Sequence, residues 1–153
     1  MIEGCAVDLP EYRTAVREEW IDYNGHLSEA YYVLVFGFAT DQAMEVLGMD
    51  AAYRQREGAS LYTVEAHVRY LQEVPQGAGV AVRTAIVGTG DRKLHLAHEM
   101  HDDSGRLVAT EEMLGVHVGG EPAGAQPFPS EVRKRMAMCG SGKPDWVGRA
   151  VRM

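Results

Sequence analysis

The chain has 153 residues, of which 46% are hydrophobic, enough for a buried core in one domain. We take residues 1–153 as that single domain, with a core over about 12–128 and a short helix and tail over 129–153. The net charge of −7 argues against nucleic acid as the main partner. The longest nonpolar stretch, residues 30–39, is far too short to span a bilayer, so we expect no membrane partner.

The two cysteines form neither a metal-binding motif nor a disulfide framework. Cys5 and Cys139 lie near opposite ends of the chain. Such sparse cysteines fit a reducing compartment. The first residues also lack a basic segment followed by an apolar run, which is the pattern of a secretory signal. The sequence therefore predicts a cytoplasmic protein.

A short strand and a long helix are the first predicted elements, over residues 13–19 and 28–47. Residues 30–39 are apolar around the whole circumference of the helix, and polar residues return only after them. A helix that is apolar all round is a buried helix, and Gly48 is placed to end it. The pattern therefore predicts one long helix inside the fold.

The turn between these two elements carries one acid. Asp22 is followed by Asn24 and Gly25, residue types that tolerate a sharp turn. The N-terminus of the helix presents unpaired backbone N–H groups and a partial positive charge. A carboxylate beside it places an attacking group next to an oxyanion site, which is the minimum equipment for acyl transfer.

The second half of the chain changes to the two-residue period of β-strands. Over residues 60–74, Glu65, His67 and Arg69 fall on one polar face. The alternating positions predict an apolar face formed by Tyr62, Val64, Ala66, Val68 and Tyr70. This segment is the second predicted strand.

Three more strands and a short helix complete the predicted elements. The strands fall over residues 80–88, 93–101 and 107–118, and the helix over 128–138; the tail after Gly140 has no assignment. One buried helix with successive hairpin-connected strands predicts an α+β fold, an antiparallel sheet of about five strands wrapped around the helix. A single sheet leaves an edge and a face to cover, so we expect self-association.

The segment around the acid resembles a known family. Asp22-Tyr-Asn-Gly-His-Leu27, followed by Ala30-Tyr-Tyr32, resembles the signature of the 4-hydroxybenzoyl-CoA thioesterase branch of the hotdog superfamily. The likeness runs from about Tyr12 to about Phe128. Within that branch, the chain resembles the betainyl-CoA thioesterases of carnitine degradation in EEWIDYNGHL (18–27), LYTVEAHVRYL (61–71) and KLHLAHEM (93–100).

The resemblance implies a hotdog fold and the activity of an acyl-CoA thioesterase, a hydrolase that needs no cofactor. It places Asp22 at the family's catalytic acid, which either attacks the thioester carbonyl or activates a water for that attack. Betainyl-CoA is the favoured substrate, followed by another short or aromatic acyl-CoA. Hotdog relatives join two sheets into one, which implies a homodimer or a dimer-of-dimers tetramer.

The neighbours of Asp22 have supporting roles in this interpretation. Gly25 and the residues around it offer backbone N–H groups to an oxyanion, and Asn24 holds the loop or contacts substrate. His26 is a loop support, a contact to Asp22 or a proton donor; we favour loop support because thiolates leave readily. Glu65 lies on a strand near the subunit interface of hotdog dimers, so it is a catalytic candidate, although a solvated or interface-paired strand face explains it slightly better.

Aromatic and basic residues are the candidates for substrate binding. A trimethylammonium group needs an aromatic cage, and the rings near the motif are Trp20, Tyr23, Tyr31, Tyr32 and Tyr62. The competing interpretation is that most of them belong to the core, and we favour it for Tyr31 and Tyr32 on the buried helix. For the CoA phosphates we favour Arg92 and Lys93, ahead of Arg69 and Arg106. His67 shares the polar strand face and is the remaining candidate.

Three alternatives have less support from the sequence. A non-catalytic hotdog module could bind acyl-CoA as a sensor, but the presence of Asp22 favours an enzyme. A dehydratase lacks its His-plus-acid motif here. His95, His98 and His101 do not predict a metal site, because alternation on a strand points His98 away from the other two.

Overall fold

The computed structural model describes residues 8–153, so the prediction for Cys5 falls outside the described part of the chain. Cys139 is a buried free thiol. The described elements are β1 Tyr12–Ala15, α1 Glu29–Val46, α2 Ala51–Glu57, β2 Ser60–Tyr70, β3 Gly79–Thr89, β4 Lys93–Asp102, β5 Leu107–Gly119, β6 Gly124–Ala125 and α3 Ser130–Met138. A single 3-10 turn, Glu18–Trp20, lies between β1 and α1, where the sequence predicts more strand.

The long helix α1 is the centre of the fold. Ser28, in an extended conformation, precedes its first turn. The chain leaves it at Gly48, whose φ of +89° suits a residue without a Cβ. Val35 and Phe36 on its inner face are fully buried. The predicted helix and its stop are confirmed, and no helix within residues 8–153 is long and apolar enough to cross a membrane.

The strands form one antiparallel sheet in the order β1-β3-β4-β5-β2, with β6 paired to β5. The inner face of the sheet packs against α1, and its fully buried side chains include Leu94, Leu96 and Met100. The last strand in the order, β2, leaves one edge without a neighbour in the described chain. The predicted α+β architecture, an antiparallel sheet of about five strands around one long helix, is confirmed.

An apolar strip of α1 remains exposed in the single chain. Val33 is 42% exposed and Leu34 is 38% exposed, and Gly37 beside them is exposed as well. The helix lies mainly against β3 and leaves the adjoining part of β2 open, where Ala66 is exposed. The prediction of a helix buried all round is therefore wrong for one chain, and another surface is needed to cover the strip.

A β-bulge divides β2 into two halves. The register with β5 shifts by one residue between Thr63 and Glu65. Because directly paired residues share a face of the sheet, the shift turns Tyr62 to the outer face, away from Val68. The single apolar face predicted for this strand is therefore wrong. That prediction assumes an unbroken two-residue alternation from residue 62 to residue 70, and the bulge interrupts it. The polar face formed by Glu65, His67 and Arg69 is confirmed.

Helix α2 is absent from the elements predicted from the sequence. Asp50 caps it, because its carboxylate accepts a hydrogen bond from the backbone N–H of Tyr53 at 2.9 Å. Gly58 ends it with a φ of +60°. The hydroxyl of Tyr53 in turn lies 2.7 Å from Nε2 of His117 on β5, which ties this short helix to the sheet.

The C-terminal helix belongs to the core. Val132 and Met136 of α3 are buried in one cluster with Leu47 and Met49, which follow α1. The hydrophobic core therefore includes side chains of α3, and the short helix predicted over residues 128–138 is confirmed.

The tail after α3 crosses the outer face of the sheet. The backbone N–H of Gly142 donates to the carbonyl of Ile86 on β3 at 2.9 Å. The N–H of Gly148 donates to Oε2 of Glu112 on β5 at 2.7 Å. Ala97 of β4 lies between these anchors on the outer face and is only 1% exposed. The tail therefore covers the middle of that face.

Candidate active site

A closed turn presents Asp22 just before α1. The N–H of Asp22 donates to the carbonyl of His26 at 3.1 Å, and the N–H of Gly25 donates to the carbonyl of Asp22 at 3.0 Å. Gly25 has a φ of +82°, a conformation that favours glycine. The half-buried carboxylate of Asp22 accepts the N–H of Asn24 through Oδ1 at 2.8 Å. Its Oδ2 accepts no hydrogen bond within the described chain, so one oxygen remains available for chemistry.

The turn is anchored on both sides. The N–H of Leu27 donates to the carbonyl of Val74 at 2.8 Å, and the N–H of Ser28 donates to the carbonyl of Trp20 at 2.9 Å. Trp20 is 3% exposed, and its ring stacks on that of Tyr31 in α1 at 6.0 Å. The acid is therefore held against the start of the helix by backbone bonds and by a packed aromatic pair.

Backbone N–H groups near Asp22 differ in their availability. The N–H of Gly25 is engaged by the carbonyl of Asp22, and that of Asn24 by its carboxylate. The N–H of His26 donates to no group within residues 8–153. The first N–H groups of α1 have no intrahelical acceptor either. In this geometry Gly25 shapes the turn, while His26 and the helix terminus offer the donors.

A cleft of about 530 Å³ opens beside this turn. It lies between the first turns of α1, the end of β2 and the loop after it. Its walls include His26, Glu29, Tyr32, Tyr70, Glu73 and Arg106. This volume is typical of pockets that bind small molecules.

The charges around the cleft act on its two tyrosines. Burial raises the pKa of Tyr32, and the charges of Glu73, Tyr70 and Asp22 raise it further. The pKa of Tyr70 is likewise raised by burial first and then by Glu29 and Glu111. Asp22 thus contributes to the raised pKa of Tyr32, after burial, Glu73 and Tyr70.

The aromatic residues predicted to bind substrate do not meet in one chain. Trp20 is in the core with Tyr31 stacked on it. Tyr23 is 97% exposed at the tip of the turn, and Tyr62 is 56% exposed on the outer face of β2. Sequence proximity to the motif does not place a ring in the cleft, because each element turns its side chains in its own direction.

Two predicted polar residues line a different cleft, on the outer face of the sheet. Glu65 and His67 border a cavity of about 470 Å³ together with His95, Glu112 and the tail at Arg149. Nε2 of His95 lies 2.7 Å from Oε1 of Glu112. Glu65 is thus separated from Asp22 of its own chain by the thickness of the sheet, and its catalytic role stays a prediction for an assembly.

The predicted phosphate-binding residues lie at the other end of the sheet. Arg92 and Lys93 are exposed at the start of β4, where Lys93 pairs with Val116. The cleft lies at the opposite end of β5, near Leu107. Arg106, a second choice from the sequence, lines the cleft itself. One chain therefore does not bring Arg92 or Lys93 to Asp22, and their role stays a prediction.

Several residues of the cleft are missing from the sequence-based site. Tyr70 is the last residue of β2. Glu29 is the first residue of α1, and Glu73 lies in the loop after β2. One sequence feature indicates that the loop over residues 71–75 belongs to a site. The loop joins a long strand to a turn and carries the polar residues Gln72 and Glu73, and loops of this kind often hold functional residues.

A buried polar cluster lies deeper under α1. His98 is completely buried, with Nε2 2.8 Å from the hydroxyl of Thr40 and Nδ1 2.8 Å from that of Thr84. The ring of Phe36 stacks on it. His98 thus faces the helix, whereas His95 and His101 face outward, as strand alternation predicts. Within residues 8–153, no cluster of three or more metal-ligating side chains occurs.

An antiparallel sheet folded around a central helix, with an acid in the turn before that helix, defines the hotdog class of α+β protein. The family model described as the Thioesterase-like superfamily matches residues 16–136. This chain belongs to that superfamily, and its class of activity is thioester hydrolysis.

Curated relatives are similar in sequence to this chain over nearly its whole length. The betainyl-CoA thioesterase of Pseudomonas aeruginosa is 39% identical over 149 residues, which cover 94% of each protein. The L-carnitine dehydrogenase/betainyl-CoA thioesterase of Rhizobium meliloti is 34% identical over 144 residues. That match covers 90% of this chain but 29% of the relative, so the chain corresponds to less than a third of it.

Solved structures show the same fold. The crystal structure of a Pseudomonas putida KT2440 protein, a proposed thioesterase, has a TM-score of 0.81 at 38% identity, covering 93% of this chain and 94% of that one. A hypothetical Staphylococcus aureus protein in complex with CoA has a TM-score of 0.87 at 22% identity, covering 94% of both chains. The predicted hotdog fold is therefore confirmed.

Proposed function

We propose that this protein hydrolyses betainyl-CoA to betaine and CoA, with Asp22 as the catalytic group and without a cofactor. The observation that carries this proposal is the Asp22 turn, where an acid with one free oxygen precedes a helix N-terminus while His26 and Leu27 of the same turn line a cleft. The identity of 39% to a betainyl-CoA thioesterase over 94% of both chains supports the choice of acyl group.

The geometry of the turn supports a simple course of reaction. Asp22 either attacks the thioester carbonyl, forming an anhydride that water then cleaves, or removes a proton from a water that attacks. The N–H of His26 and the first N–H groups of α1 are placed to stabilise the oxyanion, a contribution typically about 3 kcal/mol per donor. Collapse of the tetrahedral intermediate breaks the C–S bond and expels the CoA thiolate, which takes up a proton. When Asp22 is the nucleophile this step gives the anhydride, and when water is the nucleophile it gives the carboxylic acid directly.

We propose a homodimer, or a dimer of dimers, as the working assembly. The free edge of β2 and the exposed apolar strip of Val33 and Leu34 lie beside the cleft and need a cover. A second copy paired antiparallel along β2 supplies one and brings the opposite end of its own sheet, with its basic residues, toward the cleft. Val33→Glu is expected to lower the mass measured by light scattering, and an unchanged mass would argue against this surface.

The expected cellular location follows from the proposed substrate. CoA thioesters are made and consumed inside the cell, so we propose that the protein acts in the cytoplasm. Fractionation of cells that express the full chain tests this point.

The reaction is tested by thiol release from betainyl-CoA. Wild-type protein is expected to turn over, and Asp22→Asn to lose at least about 100-fold in kcat, because its amide neither attacks nor accepts the proton. Asp91→Asn is the matched control, since Asp91 forms a surface ion pair with Arg133 on the far side of the sheet. Equal activity of Asp22→Asn and wild type would refute the catalytic assignment.

The outcome also decides between enzyme and sensor. No thiol release from betainyl-CoA or from a panel of short and aromatic acyl-CoAs, combined with tight binding of one of them, would support a non-catalytic acyl-CoA sensor.

A further inference from the structure

The cleft beside Asp22 contains a corner of two aromatic rings. The ring centroids of Tyr32 and Tyr70 are 5.1 Å apart, and their planes meet at 86°. The carboxylates of Glu29 and Glu73 lie on the walls of the same cleft. We propose that Tyr32 and Tyr70, assisted by Glu29 and Glu73, bind the quaternary ammonium group of the acyl part of the substrate. This inference rests on the proposed function, which supplies the permanent cation.

Both rings are held in place by their hydroxyl groups. The hydroxyl of Tyr32 donates to the carbonyl of Gln72 at 2.8 Å. The hydroxyl of Tyr70 donates to the carbonyl of Glu29 at 3.2 Å. Tyr32 is 4% exposed and Tyr70 is 45% exposed, so one ring is fixed in the wall and the other faces the opening. A corner fixed in this way receives a cation without reorganising, which favours binding.

The charges of the cleft favour a cation. Glu29 and Glu73 contribute two carboxylates, and Asp22 lies in the adjoining turn. Among the lining residues within 8–153, Arg106 is the one strong base, and its guanidinium pairs with Asp102 at 3.0 Å. His26 approaches Glu73, with 3.4 Å between Nε2 and Oε2. The balance is therefore negative, and a quaternary ammonium group suits it because it has no N–H that needs an acceptor.

The chemistry of the betainyl group sets a strict condition on any such site. One methylene separates its nitrogen from the thioester carbonyl, so the cation must lie immediately beside the attacking group. The Tyr32 ring is placed for this condition, because it lines the same cleft as His26 and Leu27 of the Asp22 turn. The rings of Tyr62 and Tyr23 do not meet it in one chain, because one faces the outer side of the sheet and the other projects into solvent.

The sharpest test separates charge from shape. In 3,3-dimethylbutyryl-CoA a carbon replaces the nitrogen of betainyl-CoA, so the two groups have nearly the same size and differ in charge. Binding is measured by calorimetry with non-hydrolysable analogues of both, in which a methylene is inserted between sulfur and carbonyl. Wild-type protein is expected to prefer the cationic analogue. Tyr70→Leu is expected to lower that preference about 3- to 30-fold, the range of a lost cation–π contact.

Two control variants show whether the ring itself is responsible. Tyr70→Phe keeps the ring and loses the hydroxyl, and it is expected to retain most of the preference. Met138→Ala removes a side chain of similar exposure from α3, which does not line the cleft, and is expected to leave the preference unchanged. Glu73→Gln is expected to lower the preference by a smaller factor, because its carboxylate is 78% exposed and screened by solvent.

The outcomes distinguish this inference from the proposed function. Equal affinity for the two analogues, or equal weakening of both by Tyr70→Leu, would overturn the cation site even if betainyl-CoA is hydrolysed. A preference that depends on Tyr70, without hydrolysis of betainyl-CoA, would support the cation site and overturn the proposed reaction. Folding of each variant is checked by its thermal transition.

Discussion

Nε2 of His98 lies 4.0 Å from Oε1 of Glu111, and both side chains are buried under α1. The distance would allow an ion pair, but burial favours the neutral form of each group. It lowers the pKa of His98 to about 4 and raises the pKa of Glu111 to about 7. The two residues therefore form a neutral polar pair at moderately acidic pH, and Glu111 ionises near neutrality.

The stability of the fold is expected to depend on pH through Glu111. Its folded pKa is raised from 4.5 to about 7, so its stabilising contribution is present below about pH 4.5 and is lost as the pH rises through 7. Glu111→Gln, which stays neutral, is expected to gain up to about 3 kcal/mol relative to wild type between pH 4.5 and 8. Urea unfolding at both pH values measures the gain.

A suitable control is Glu45→Gln, an exposed carboxylate on α1. Its free energy of unfolding should differ from that of wild type by a similar amount at both pH values. If Glu111→Gln behaves in the same way, Glu111 is not held in its neutral form by burial.

The hydroxyl of Thr40 defines the tautomer of His98. This hydroxyl donates to the carbonyl of Phe36 at 3.1 Å, so it must accept from the Nε2–H of His98 at 2.8 Å. Thr40→Val leaves that N–H buried without a partner and is expected to destabilise the fold by about 1–3 kcal/mol. Thr89→Val, at an exposed position on β3, should change the free energy of unfolding by less than about 0.5 kcal/mol.

Alanine substitutions at Gly25 and Gly58 distinguish the effect of backbone strain on stability from an effect on catalysis. Both glycines have a positive φ, +82° and +60°, and a Cβ added at either would meet no atom within 4 Å. Alanine at either position is expected to destabilise the fold by roughly 1–2 kcal/mol. Only Gly25→Ala should also lower kcat, by about 10-fold or more, because it shifts the Asp22 turn. Equal kcat values for the two variants would show that the turn geometry does not control the acid.

Close packing at the β2 bulge makes Gly115 sensitive to any side chain. A Cβ at Gly115 would lie 2.7 Å from Cγ of Leu61. Gly115→Ala is therefore expected to lower the free energy of unfolding by about 1–3 kcal/mol. At Gly88 on β3 an added Cβ meets nothing within 4 Å, so Gly88→Ala is the control. Similar thermal midpoints for both variants would contradict the packing described for the bulge.

The fold was largely predictable from periodicity and the family motif. The long apolar segment predicts α1, and the segments that alternate with a period of two residues predict the four long strands, because that period is the repeat of a β-strand. The bulge between Thr63 and Glu65 was not predictable, since one extra residue reverses the facing of every residue before it. The polar helix α2 was difficult for a related reason, because it buries only one side chain, Tyr53.

The candidate site was predictable only where a single short segment builds it. The Asp22 turn is local, so its motif was sufficient. The cleft is formed by α1, β2 and the loop after β2, and Tyr70 and Glu73 reach it through the path of the chain. No spacing rule connects Tyr32 to residues about forty positions away. Closeness to the motif in sequence favours other rings, such as Trp20, as substrate-binding residues. The ring of Trp20 is in the core.

The tail that runs from Gly142 to Gly148 has a consequence for higher assembly. Two sheets can stack back to back only where their outer faces are bare, and here a stretch of backbone already occupies the middle of that face above Ala97. A second layer must therefore either rest on the tail or push it aside and break the bond between Gly148 and Glu112. The thickness of the tail thus acts as a spacer that sets how closely two such layers approach.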